Sequence, residues 1–157
     1  MYKRQPFTPW TTLDDLIDLI DFVVAHDLVV NVDPVQYTVR LLLPEGSLLL
    51  GLAAMEPHLG HYDAERLGWT WSHPDPMVDR LQQELATLVE ARVGQGASAT
   101  FGEIETLIRS RATDRVAPPS PGAVSKGAVG DRAHLTEPWF CCSEPTEAQL
   151  TPLTPLG

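Results

Sequence analysis

The sequence predicts an α/β chain, mainly helical, whose front two-thirds fold and whose tail stays largely disordered. Three observations carry this. Apolar residues recur at helical spacing in three stretches, one further stretch alternates as a strand does, and beyond Thr113 the composition turns to Pro, Gly, Ser and Ala.

The first helix is read from "TTLDDLIDLIDFVVAHDL". Leu13, Leu16, Ile17, Ile20, Val23 and Val24 fall at steps of three and four, with Asp14, Asp15, Asp18 and Asp21 on the other side, the pattern of one buried and one solvated face. Thr11 or Thr12 supplies the cap, and the early aspartates suit the positive end of the helix dipole. His26 falls at the negative end, where an imidazolium is favoured.

Val35, Tyr37, Val39, Leu41 and Leu43 then alternate with Gln36, Thr38, Arg40 and Leu42, which predicts a strand closed by a turn at Pro44 and Gly46. Asp33 followed by Pro34 offers the cap of a short helix as the alternative to that strand. A second helix is expected in "DPMVDRLQQELATLVEARV", with Asp75 as cap, Pro76 in the first position, a stripe of Val78, Leu81, Leu85, Leu88 and Val89, and Gly94 as the stop. A third opens at Thr100, three residues before Glu103 in capping-box spacing, and buries Phe101, Ile104, Leu107 and Ile108. From Thr113 to about Gly130 large apolar residues are almost missing, so burial there cannot offset chain entropy and a linker is expected.

The 157 residues suit one domain with a tail. A formal charge of −10 with few, scattered cations argues against nucleic acid and against an acidic membrane surface as partners. The start "MYKRQPFTPW" lacks the apolar run of a secretory signal, and "LLLGLAA" is far shorter than the ~20 residues that span a bilayer. A cytoplasmic protein is the expectation, with its thiols resting reduced.

Those thiols are Cys141 and Cys142, adjacent, in the tail stretch "PWFCCSEPTEAQL". Neighbouring Cα atoms lie ~3.8 Å apart, short of the ~4.4–6.8 Å usual for a bridged pair, so a disulfide between them is strained and easily reduced. Such a pair suits redox exchange or soft-metal ligation better than a structural staple. His58, His61 and Asp63 in "EPHLGHYD" are weak metal candidates, as His-x-x-His can bring two rings to one ion on a helix but stands here beside Pro and Gly. His134 is a further weak candidate ahead of the cysteines, and it lacks a clear fourth zinc ligand. His73 in "WSHPDP" reads as a loop residue before the Asp75 cap. No glycine-rich phosphate loop, GxSxG elbow or HExxH helix is present.

Taken together, "PFTPWTTLDDLIDLIDFV", "VDPVQYTVRLLLPEGSLLL", "WSHPDPMVDRLQQEL" and the tail resemble the carboxy-terminal part of a radical S-adenosylmethionine (SAM) protein, in the group that ends in a CUAEP or CCAEP tail. The resemblance covers nearly the whole chain apart from the linker. Cys141, Cys142, Glu144 and Pro145 match the tail, and Ser143 stands where the family has alanine.

The resemblance implies the carboxy-terminal fragment of a partial (β/α) barrel over residues 1–54, a helical extension over 55–112, a disordered linker over 113–134 and the Cys-Cys tail over 135–157. It implies that "QPFTPW" is a late barrel strand, with Thr8, Pro9 and Trp10 toward the active-site mouth; as a residue alone, Trp10 fits an apolar staple onto the first helix better. In the full-length family a [4Fe-4S] cluster on a CxxxCxxC loop cleaves SAM. Two cysteines cannot supply three thiolates, so no cofactor is expected for this chain alone, and the expected partner is the missing amino-terminal barrel portion, in the same chain or a separate one. Against this stand a thiol-redox or zinc module built on Cys141 and Cys142, and an interaction domain that docks its apolar faces on a half-barrel.

Overall fold

The computed structural model of the chain describes residues 5–113. It is a mixed α/β structure with three helices and one two-stranded sheet: α1 (Leu13–Ala25), β1 (Leu59–Asp63), β2 (Gly68–Trp71), α2 (Pro76–Ala91) and α3 (Ala97–Thr113). Cys141, Cys142, His134, the linker and the tail lie outside the described residues.

α1 forms where the apolar spacing places it. Thr12, not Thr11, is the cap: the Thr12 side chain accepts the Asp15 N–H at 3.1 Å while the Asp15 carboxylate accepts the Thr12 N–H at 2.8 Å. Two helix-end donors are thereby satisfied reciprocally. Leu13, Leu16, Ile20 and Val23 are buried and the aspartates exposed; Val24, expected inside, lies on the solvated side. α2 starts at the Asp75 cap with Pro76 in its first turn. After it, Gly94 takes φ +85°, a left-handed turn that a side chain would strain. α3 begins three residues earlier than expected. Thr100 is therefore inside the helix and buried, its hydroxyl aimed at the Gly96 carbonyl, and the Thr100–Glu103 capping box does not form.

The strand expected over Val35–Leu43 is likewise corrected. Pro34–Tyr37 is a 3-10 turn capped by the Asp33 side chain, which accepts the Val35 N–H at 3.0 Å. Pro34 fixes φ for a helical start, and the Asp33 cap then outweighs the β-branched alternation. The alternation still reports something real, since Tyr37, Val39, Leu41 and Leu43 all point inward. This segment pairs as a strand only through one parallel bridge, Phe7 with Arg40: the Phe7 N–H donates to the Val39 carbonyl and the Leu41 N–H to the Phe7 carbonyl.

β1 and β2 form an antiparallel hairpin, a feature the sequence reading missed. Leu59 faces Trp71 and Asp63 faces Gly68, with an irregularity between Leu59 and Tyr62. There Thr70 replaces a ladder partner: its hydroxyl accepts the His61 N–H and donates to the His61 carbonyl, both at 3.0 Å. A Cβ at Gly60 would overlap that hydroxyl, so the close approach requires glycine.

Two apolar clusters result. The larger joins Phe7, α1, Tyr37, α2 and α3, drawing on both sides of position 54; Leu81, Leu85, Ile20 and Ile104 are its fully buried members. The smaller holds Leu41, Leu43, Met55 and Trp71, with the Trp71 indole N–H donating to the Leu41 carbonyl at 2.7 Å. Arg40 ties the hairpin to α2. Its guanidinium lies 3.6 Å from the Trp71 ring centroid and donates to Asp79 and to the Trp71 carbonyl, each at 2.6 Å. Around the rim, Arg109 meets Asp21, Arg111 meets Glu84 and Arg92 meets Glu103. Between residues 5 and 113 there is no lysine; the chain's lysines are Lys3 and Lys126.

The Tyr37 hydroxyl has no hydrogen-bond partner among the described residues although the side chain is buried against Phe101. Burial pushes its pKa above the ordinary 10.0, because the apolar surroundings disfavour the phenolate. The fold thus prefers the neutral phenol. That contribution is complete below about pH 10 and is lost as pH rises above it toward the folded value. Tyr37→Phe removes an unsatisfied group at constant shape, so it is expected to leave stability unchanged at pH 7 or raise it by about 1 kcal/mol. Urea titrations at pH 7 and above pH 10 check this: the variant should also lose less stability in alkali than the parent.

Candidate functional site

Phe7 is locked to the Val39–Leu41 segment, and the chain then turns sharply through Thr8–Thr11 before α1 begins. Thr8 and Thr11 hold the turn, with their hydroxyls 2.8 Å apart, the Thr8 N–H donating to the Thr11 hydroxyl at 3.1 Å and the Thr11 N–H to the Thr8 carbonyl at 3.2 Å. Pro9 is buried beneath it. The turn pushes Trp10 outward, 44% exposed, with its ring edge-on to His58 at 6.5 Å between centroids.

Gln5, Pro6, Thr8, Trp10, Thr11, Asp15, Leu16 and Leu19 surround a groove of about 250 Å³ between this turn and the first turns of α1, with the Asp15 carboxylate already engaged in the helix cap. Trp10 therefore shares a groove with Leu16, the staple position of α1, while keeping much of its ring in water. The turn thus sets an exposed aromatic beside two hydroxyls, with the His58 imidazole edge-on to its ring. The groove can hold a ring or an apolar side chain; it offers no charged pair for acid–base chemistry.

Of the histidine candidates, His58 closes the 3-10 turn Glu56–His58 and His61 stands on β1, so they share no helix face and His-x-x-His does not form the geometry that motivated it. His58 goes to Trp10, and the His61 ring nitrogen lies 3.5 Å from the Thr70 hydroxyl. Among the described residues no group of three or more His, Cys, Asp or Glu is arranged to hold a metal ion. His73 serves the loop before α2, its ring nitrogen accepting the Asp75 N–H at 2.9 Å. His26 packs against Phe22 at the end of α1, the rings tilted by 49° with centroids 4.3 Å apart.

The chain matches no protein-family model, no curated protein and no solved structure. No helix among the described residues is long and apolar enough to cross a membrane. The groove was missed in the sequence because it depends on the Thr8–Thr11 turn; the signal that pointed nearest to it was the Thr-Pro-Trp-Thr run.

Proposed function

We propose that the chain is the carboxy-terminal part of a cytoplasmic radical SAM enzyme whose tail carries Cys141 and Cys142 as a redox-active or metal-ligating pair. The observation that supports this best is the Phe7–Arg40 bridge: two extended segments run parallel with α1 between them, the connection order of one unit of a (β/α) barrel. The CCSEP tail supports it independently. The residues present do not fit a [4Fe-4S] cluster, since the chain owns two cysteines and such a cluster takes more thiolates than that. The cluster-bearing part is the partner on this reading, and the chain's own contribution is the thiol pair.

The thiolate is the form that exchanges or ligates. Two adjacent thiols hand on two electrons and two protons when they close to a disulfide, and the strain of that eight-membered ring keeps the return to thiols easy. Cys141→Ser combined with Cys142→Ser, in the enzyme assembled with its cluster-bearing part, is expected to abolish turnover and leave the thermal unfolding of the chain unchanged. Unaltered turnover overturns the role of the pair. Stoichiometric zinc held through Cys141 and Cys142 in the purified chain favours the stand-alone module instead.

A further inference from the structure

The outward side of α2 carries a groove of about 430 Å³ bounded by Arg80, Gln83, Glu84, Thr87, Leu88 and Ala91, residues that recur at steps of three and four and so share one face of the helix. Its surface is mostly apolar although only Leu88 and Ala91 are apolar by type; the aliphatic stems of the longer side chains supply the rest. Glu84 is turned to Arg111 of α3, and the Thr87 hydroxyl donates to the Gln83 carbonyl at 3.0 Å. Arg80 is thereby left without the carboxylate one turn along its own helix that would ordinarily pair with it. Of the six arginines between residues 5 and 113 it is the one with no hydrogen bond or ion pair among the described residues. Glu90, exposed near the other end of α2, has none there either.

We infer that this face of α2 docks antiparallel on the same face of a second copy of the chain, with Arg80 of each protomer against Glu90 of the partner subunit. Arg80 and Glu90 stand five residues before and after Leu85, about 7.5 Å each way along the helix axis. A two-fold axis level with Leu85 therefore brings each arginine opposite a glutamate, and each Gln83 opposite a threonine. Arg80, Gln83, Thr87 and Glu90 are all exposed, and their 3-4-3 spacing is that of the seam along which two helices pack. The face is charge-complementary to itself when reversed and self-repelling when parallel, where arginine would meet arginine. An isologous contact of this kind closes at two copies. The 16 residues of α2 make a helix only ~24 Å long, whose one face falls well short of the ~800 Å² per partner of a stable interface, so the dimer is reversible and concentration-dependent. It depends on neither the thiol pair nor the radical SAM reading.

Sedimentation equilibrium of the full chain tests this, with a reductant present so that Cys141 and Cys142 cannot link copies covalently. The average mass of the parent is expected to climb from 17.3 kDa toward twice that value as concentration rises. Arg80→Glu alone and Glu90→Arg alone each set like charges across the seam, so each should weaken association by about tenfold or more. Both should keep the helical circular dichroism of the parent, because the two positions are exposed and unpaired. Mixing the two variants in equal amounts restores opposite charges at both contacts and should bring association back to the parent's strength. A parent that stays at 17.3 kDa up to millimolar concentration overturns the inference. So do single variants that associate as the parent does, which assigns the contact to another surface, or a mixture that remains monomeric.

Discussion

Arg40→Ala is expected to destabilise the described body by about 2–4 kcal/mol, measured as the shift in urea-unfolding free energy at pH 7. The guanidinium touches Asp79, the Trp71 carbonyl and the face of the Trp71 ring together. Its side chain is 13% exposed and that of Asp79 25%, so the pair is shielded enough to exceed a surface ion pair and wet enough to fall below a fully buried one. The His73 N–H, which also donates to Asp79 at 2.9 Å, limits the penalty left on the carboxylate. Arg40→Lys should recover only part of the loss, because an ammonium carries the charge without the planar fork that bonds and stacks at once. Full recovery by lysine would show that charge alone joins the hairpin to α2.

Leu81→Ala should cost about 2–5 kcal/mol in the same titration. Leu81 is fully buried in the larger cluster, on the face of α2 turned to the other helices, and alanine leaves a cavity that a close-packed interior closes only in part. Single domains hold roughly 5–15 kcal/mol in all, so this change removes a large share of the total. Leu88→Ala, two turns along and only partly buried, should cost visibly less. Equal losses would mean that α2 is not oriented with Val78, Leu81 and Leu85 inward.

α1 and α2 were legible because two local signals agree in each: an apolar period near 3.6 and a capping residue with its partner in place, Thr12 with Asp15 and Asp75 with Pro76. Where two local signals compete, the sequence misleads. At Val35–Leu43 the alternation is genuine, yet strand identity requires hydrogen-bonded neighbours that alternation does not encode, and Asp33–Pro34 had already bent the chain. The hairpin was missed because its turn rests on Asp63, whose carboxylate accepts the Glu65 and Arg66 N–H groups, and on Leu67 at φ 54°, a residue type that does not advertise a left-handed turn. In α3 the Thr-x-x-Glu spacing was fulfilled in letters only, since a cap needs extended backbone and Thr100 sits one turn inside a helix. The candidate site followed the same logic. His58 and His61 were conspicuous by spacing, whereas the Trp10 groove depends on a turn that no periodicity announces.

Because every fixed cation of the body is a guanidinium, reagents that acylate primary amines find no target between residues 5 and 113. A dye or biotin ester finds its lysine targets at Lys3 and Lys126, one on each side of the described residues, so the chain can be tagged or tethered there while the body between them keeps its side chains untouched.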